Sequence, residues 1–162
     1  MNNRNRKFLE SNKDKLNNVF VGSLTKHPEK LIQFGEGNFL RAFVDWQINS
    51  LNSAGHFKGS IVVVQPIENG LVDLLNKQEG VYTSLQRGYQ DGSLVEHAEI
   101  ITAISRGINP YNNWKDYLAL AKNEEIKYIV SNTTEAGIAY QPIPFDQNKC
   151  PQSFPAKLTL LL

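Results

Sequence analysis

The sequence predicts an α/β protein whose core is a doubly wound, mainly parallel sheet with an inserted β-hairpin. Three observations predict it. Short apolar runs at 31–34, 60–64 and 126–130 are separated by stretches with helical spacing. The middle run, Ser60-Ile61-Val62-Val63-Val64, is β-branched and apolar on both faces, which suits a central parallel strand covered by helices on two sides. Asp91-Gly92 stands between two β-rich segments, a strong signal for a tight hairpin.

The elements follow in order. Residues 1–28 are polar and rich in Asn, Lys and Arg. Phe8, Leu9, Leu16, Val19 and Phe20 allow a short helix there, in an arm that docks on something else; the domain proper is expected over 29–162. Leu31-Ile32-Gln33-Phe34 forms a buried strand ending at Gly35. From Phe39 the period becomes helical, with Leu40, Phe43, Val44, Ile48 and Leu51 on one apolar face and Gly55 as the stop. After the 60–64 strand, ended by Pro66, Asn69 caps a short helix carrying Leu71, Val72, Leu74 and Leu75. Residues 81–87 and 94–104 form the hairpin arms, followed by a polar loop at 105–110. Asn112 or Asn113 then caps a helix over 114–122 with Tyr117, Leu118 and Ala121 inward. Residues 126–130 form another buried strand. The stretch 141–155 holds four prolines and reads as an exposed loop. Pro155 opens a last helix, whose apolar end, 158–162, is expected to bury against further structure or to self-associate.

Composition narrows the class. The chain has 162 residues, 41% of them apolar and 20% charged, which fits one globular domain or one plus an arm. The net charge of +1 offers no electrostatic case for sequence-independent nucleic-acid binding. No apolar run approaches the ~18 residues of a membrane span. The basic start Met1-Asn2-Asn3-Arg4-Asn5-Arg6-Lys7 lacks the apolar segment of a secretory signal. The single cysteine, Cys150, excludes an internal disulfide and a thiol-rich metal site, and makes a cytoplasmic protein the simplest reading. His27, His56 and His97 lack metal-ligand spacing.

Three stretches carry candidate chemistry. Gly35-Glu36-Gly37-Asn38-Phe39-Leu40 lies between the first strand and the first long helix, where a dinucleotide's pyrophosphate sits in a Rossmann-like domain. Gly35 allows the tight turn, Gly37 lets the backbone approach phosphate, and Arg41 adds a cation. Leu40 stands where a third glycine usually packs, and Glu36 would repel phosphate, so a purely structural turn is the competing reading. Second, Gln65 and Glu68 follow the 60–64 strand, where NAD sites often place a carboxylate on the ribose hydroxyls. No arginine nearby meets a 2′-phosphate, so NAD is preferred over NADP; for Glu68 the competing reading is a solvated loop carboxylate. Third, Ser131-Asn132-Thr133-Thr134-Glu135 ends a strand at the usual ligand edge of an open α/β sheet. Asn132 and Thr134 are candidates for nicotinamide or sugar hydroxyls and Glu135 for proton handling, against local capping of the next segment. Arg106 is a weaker candidate for an anionic substrate.

Together these stretches resemble the polyol-specific long-chain dehydrogenases, the mannitol dehydrogenase family, in its altronate oxidoreductase (tagaturonate reductase) branch. The resembling segments are 31–46 (LIQFGEGNFLRAFVDW), 62–67 (VVVQPI), 104–111 (ISRGINPY), 131–140 (SNTTEAGIAY) and 153–161 (SFPAKLTLL). SNTTEAGI after FGEGNFLRAF separates this branch from mannitol dehydrogenases, whose turn more often reads GxGxFHRAH. The resemblance implies an NAD-dependent enzyme interconverting D-altronate and D-tagaturonate, with Gly35, Gly37, Asn38 and Phe39 in the cofactor turn; Ile32, Gln33, Phe34, Glu36, Leu40 and Arg41 around it are cofactor-binding candidates with them. It also implies that Thr134 and Glu135 face the nicotinamide and the sugar acid. Family members run to several hundred residues, and their catalytic lysine, with its companion Asn and His, lies in a helical C-terminal domain. Lys157 falls in a different segment and is not that lysine. The expectation is a cofactor domain alone, inactive by itself and without a metal. A fructuronate- or mannitol-type reductase, or a non-catalytic domain acting through protein contacts, are the alternatives.

Overall fold

The computed structural model describes residues 5–12, 15–16, 19–144, 146 and 148–162. Expectations for 1–4, 13–14 and 17–18 lie outside the described residues.

The main sheet holds β2 (Glu29–Phe34), β3 (Ser60–Val64), β6 (Ile104–Ile108) and β7 (Tyr128–Ser131), all parallel, in the order β6-β3-β2-β7. Side chains alternate along β2 and β3, so each strand serves two cores. Leu31, Ile61 and Val63 pack with Ile48, Val72 and Leu75 on one face. Ile32, Phe34, Val62 and Val64 pack with Tyr117, Leu120 and Leu161 on the other. Helices α2 (Asp45–Ser53) and α3 (Val72–Lys77) cover the first face; α4 (Trp114–Ala119) and α5 (Phe154–Leu161) cover the second. This is the doubly wound arrangement that the two-faced apolar run at 60–64 requires. Each apolar side chain of β3, fully shielded from water, contributes about 1.5–3 kcal/mol relative to exposure.

A second, smaller sheet holds β1 (Phe20–Val21), β5 (Ser93–Ile101) and β4 (Tyr82–Gln90) in the order β1-β5-β4. Asp91 and Gly92 turn between β4 and β5 with φ of 51° and 79°, the paired positive values of a type I′ turn. Among the described residues no helix is long and apolar enough to cross a membrane.

Several local expectations change. The helix after Gly35 does not run in one phase. A π turn over Leu40–Val44 precedes α2, and the Asp45 N–H reaches back to the Leu40 carbonyl. One inserted residue rotates the following helix by roughly 100°. The buried positions are therefore Leu40, Asp45, Ile48, Asn49 and Asn52, while Phe43 and Leu51 face outward. Gly55, at φ 76°, does stop the helix, with the His56 N–H closing onto the Leu51 carbonyl. Asn69 caps nothing: α3 starts at Val72, with Val72 and Leu75 inward and Leu71 and Leu74 exposed. The 94–104 arm is two strands in two sheets, because β5 ends at Ile101 and β6 begins at Ile104. Part of the supposed 105–110 loop is therefore β6. Ala121 is exposed and Leu120 is buried in its place. β7 is an edge strand, not a buried one, since only β2 pairs with it.

The arm docks on the chain itself. Helix α1 (Arg6–Ser11) buries Leu9 against Val81 and Ile100, and β1 pairs with β5. Helix α5 is opened by Ser153, whose hydroxyl accepts the Ala156 N–H, with Pro155 in its first turn. Its Leu161 is buried on the sheet, so 158–162 is not a free apolar tail.

Candidate functional site

The chain runs outward from β2 through β3 to β6 and then crosses back to β7 on the other side of β2, so the winding reverses beside β2. Ligands of open α/β sheets bind at the carboxyl ends of strands at such a switch point. A crevice of about 390 Å³ lies there. Its walls include Phe34 and Gly35 at the end of β2, Pro66 and Ile67 after β3, Asn132 and Thr134 after β7, and Ser153 and Phe154 opening α5.

The glycine turn starts the site. Gly35 has φ 118°, a conformation L side chains rarely adopt, and a Cβ there would meet Leu40 Cδ1 at 3.1 Å. Its N–H donates to the Val64 carbonyl (3.0 Å), tying the turn to β3. Gly37 is different: a Cβ on it would meet nothing within 4 Å, so its surface is open. Asn38 and Phe39 are exposed beside it. The Arg41 guanidinium donates to Asn38 Oδ1 (2.6 Å) and lies over the Tyr82 ring, 5.5 Å from its centroid.

Glu36 does not point at this opening. Its side chain folds back, mostly buried, and its Oε1 accepts the Leu71 N–H at 3.3 Å. The feared repulsion of a phosphate is removed by that turn. The other expected residues sort by burial. Ile32, Gln33 and Leu40 are core groups that support the turn and offer no surface to a ligand. Gln33 Nε2 instead donates to the Gly35 carbonyl at 3.1 Å. Phe34 is buried but forms part of the crevice wall, edge-on to Phe154 at 4.9 Å.

Gln65 is not free for a ribose. Its Nε2 donates to the Ile67 and Glu68 carbonyls, both at 2.8 Å, and its Oε1 accepts the Val72 N–H at 3.3 Å. It is a staple for the loop after β3. Asn109 Nδ2 adds a further bond to the Glu68 carbonyl (3.0 Å), which leaves the Glu68 residue pinned by its backbone and exposed. Thr134 precedes a 3-10 turn over Glu135–Ile138, but its side chain makes no capping bond. Asn132, Thr134 and Glu135 are all exposed at this end of β7.

Two charged side chains are structural. Arg106 grips Glu29 with Nε–Oε1 at 2.8 Å and Nη2–Oε2 at 3.0 Å, at the opposite end of β2 from the crevice. Although burial pushes against it, the bonds from Arg106 hold the Glu29 carboxyl below its ordinary value. Arg106→Met is expected to cost about 0.5–1 kcal/mol in denaturant unfolding, the range of a partly exposed ion pair, and to leave NADH affinity unchanged. Lys157 is wholly buried and donates to Tyr111 Oη (3.0 Å) and the Gln152 carbonyl (2.8 Å). Burial pushes its ammonium below the usual lysine range. Tyr111 in turn reaches the Pro66 carbonyl (3.4 Å), so this buried lysine joins the α5 side of the crevice to the β3 side. The sequence reading missed Pro66, Ile67, Ser153 and Phe154. Pro155 marked a helix start in the sequence, but only folding brings that start to the switch point. Among the described residues no cluster of three metal-ligating side chains occurs.

A doubly wound parallel sheet, a glycine turn at its first strand–helix junction and a crevice at the switch point define a dinucleotide-binding Rossmann domain. Residues 29–162 match the mannitol dehydrogenase Rossmann domain, and the chain belongs to the mannitol dehydrogenase family. It is 48% identical over 136 residues to the altronate oxidoreductase of Halalkalibacterium halodurans, covering 83% of this chain and 27% of that protein. It is 45% identical over 148 residues to the altronate oxidoreductase of Bacillus subtilis, covering 91% of this chain and 31% of that protein. The chain thus spans a little under a third of the length of these curated relatives. Among solved structures it resembles a Pseudomonas fluorescens mannitol 2-dehydrogenase in ternary complex with NAD and D-mannitol, with a TM-score of 0.68 and 20% identity over 79% of this chain and 27% of that one. A substrate-free D-sorbitol dehydrogenase gives 0.65 and 17% over 74% of this chain and 25% of that one. At these identities the two structures establish the fold.

Proposed function

We propose that the chain is the NAD-binding part of an altronate oxidoreductase, serving interconversion of D-tagaturonate and D-altronate. The observation that carries this reading is 45–49% identity to proteins of that name across the domain, with both signature stretches, FGEGNFLRAF and SNTTEAGI, meeting at one crevice. The donor set fits a dinucleotide: Gly37 leaves room for a pyrophosphate, Asn38 and Arg41 stand beside it, and Glu68 stands exposed beyond β3 for ribose hydroxyls. The cofactor supplies a carrier of hydride at its nicotinamide ring. This chain's residues bind and orient it. Gly35 and Gly37 shape the turn, and Asn132 and Thr134 are assigned to the nicotinamide end of the crevice, with Glu135 as an auxiliary to proton movement. The resemblance assigns the proton-transferring lysine to a segment outside these 162 residues. We assign the protein to the cytoplasm on its single cysteine.

The test is a fluorescence titration of the chain with NADH and NADPH. Trp46 lies one residue into α2, with its indole N–H fixed on Glu99 Oε2 at 2.7 Å, and reports on the turn. The expected outcome is saturable NADH binding with NADPH about tenfold weaker, a difference of about 1.4 kcal/mol, because no arginine follows β3 to meet a 2′-phosphate. Failure of both nucleotides to bind overturns the reading. Substrate comparison on a protein extended to the relatives' length separates tagaturonate reduction from fructuronate or mannitol-type activity.

A further inference from the structure

The Tyr82 hydroxyl lies 2.7 Å from the Arg41 carbonyl and 2.9 Å from Asp45 Oδ2. A phenol carries one hydrogen, so it can donate to only one of these oxygens. If Asp45 were ionised, the other contact would set two lone-pair oxygens against each other at hydrogen-bond distance. A proton on Oδ2 resolves this: Asp45 donates to Tyr82, and Tyr82 donates to the Arg41 carbonyl.

The surroundings favour that proton. The Asp45 carboxyl is fully buried, and its Oδ1 has no hydrogen-bond partner among the described residues. The groups facing it are Tyr82 from β4, Gln33 from β2 and Arg41 from its own helix. The Arg41 guanidinium is directed to Asn38 and the Tyr82 ring, not into an ion pair with Asp45. Burial pushes the Asp45 carboxyl up to about 7, against the opposing pull of Tyr82, Gln33 and Arg41. Tyr82 itself is pushed far above the ordinary phenol range by burial and by Asp45, so its hydroxyl stays protonated.

The relay ends on a backbone atom that needs it. In a regular α-helix the Asp45 N–H would bond the Arg41 carbonyl, four residues back. The π turn diverts that N–H to Leu40, and the Tyr82 hydroxyl takes up the Arg41 carbonyl. Arg41 closes the turn from its other end, its N–H bonding the Gly37 carbonyl at 3.2 Å. The proton on Asp45 thus supports the segment that meets the pyrophosphate.

We propose that Asp45 and Tyr82 are positioning residues for the glycine turn, which accepts the dinucleotide when Asp45 is a neutral acid. This rests on the cofactor reading above. An ionised Asp45 breaks the relay and adds a buried negative charge next to the anion site. Dinucleotide binding and the proton on Asp45 therefore reinforce each other.

The experiment is NADH titration of the 162-residue chain from pH 5.5 to 8.5, with near-ultraviolet circular dichroism to follow folding. Carbon-13 NMR of the aspartate carboxyls follows Asp45, assigned by its loss in Asp45→Asn. The parent is expected to bind NADH at least fivefold more weakly at pH 8.5 than at pH 6. Asp45→Asn, whose amide donates to Tyr82 as the neutral acid does, should hold the low-pH affinity across the range. Tyr82→Phe should bind weakly at every pH. A parent affinity independent of pH, or an Asp45 signal titrating in the ordinary aspartate range, overturns the inference. If NADH binds at no pH the cofactor reading falls, and the NMR titration still decides whether Asp45 keeps its proton.

Discussion

Replacing Gly37 by valine is expected to weaken NADH binding at least 30-fold, about 2 kcal/mol, while leaving the melting temperature within about 2 °C of the parent. The two halves of this expectation have separate causes. Gly37 has no positive φ, and a Cβ on it meets nothing within 4 Å, so the folded chain accepts a side chain there. On the cofactor reading proposed above, that same empty space is where a pyrophosphate approaches the backbone N–H groups at the helix start. An isopropyl group fills it. Gly35→Ala serves as the contrast. Its φ of 118° and the 3.1 Å approach to Leu40 Cδ1 make that change costly to the fold itself. Strain of about 1–3 kcal/mol lowers the melting temperature by roughly 3–10 °C in a chain of this size. Gly37→Val binding NADH like the parent would mean that the turn is structural and holds no dinucleotide.

The second large effect is on stability against pH. The folded Asp45 carboxyl titrates at about 7 against an ordinary 3.8, so between those values the folded chain keeps a proton that the unfolded chain has released. Stability from this group is fully present below the unfolded value and is lost as pH rises through the folded one. The slope is about 1.4 kcal/mol per pH unit, roughly 4 kcal/mol over the whole window as an upper figure. Two groups oppose it. His27 is shifted down by burial and by Lys30, Arg6 and Lys58, so its contribution grows with pH near neutrality. Glu29, held low by Arg106, loses its contribution only in acid. Both are present in Asp45→Asn as well, so the difference between variant and parent isolates Asp45. Urea unfolding at pH 5, 6, 7 and 8 is expected to show the variant's advantage growing with pH and levelling off above about 7. An advantage that stays constant across that series would show that Asp45 is already ionised when folded.

Much of the fold was legible because its signals are local. The β-branched run at 60–64, the Asp91-Gly92 turn, the Gly55 stop and the helix start at Pro155 each act through backbone preferences of a few adjacent residues. The glycine turn was legible for the same reason, and so was the polar stretch after β7. What misled were positions whose environment comes from elsewhere in the chain. Leu51 and Phe43 fit one helical stripe in sequence, yet the π turn rotates them outward and puts Asp45 beneath the turn. Residues 105–108 look like a loop because Ser105, Arg106 and Gly107 are not strand formers; pairing with β3 makes them one.

The sequence by itself determined the alternation of strands and helices, the two-faced central strand and the place of the glycine turn, since each depends on residue type and spacing alone. Only the tertiary structure decided which polar groups remain for a ligand. Gln65 is used up inside the loop after β3, Glu36 is folded onto Leu71, and Arg106 is held by Glu29, whereas Gly37, Glu68, Asn132 and Thr134 stay open and Asn38 stays exposed while tied to Arg41. The physical reason is that a buried polar group must find its partner wherever the fold supplies one. Glu36 and Arg106 find theirs tens of residues away along the chain, beyond the reach of local spacing, and Gln65 finds its partners nearby only because the loop after β3 folds back over it.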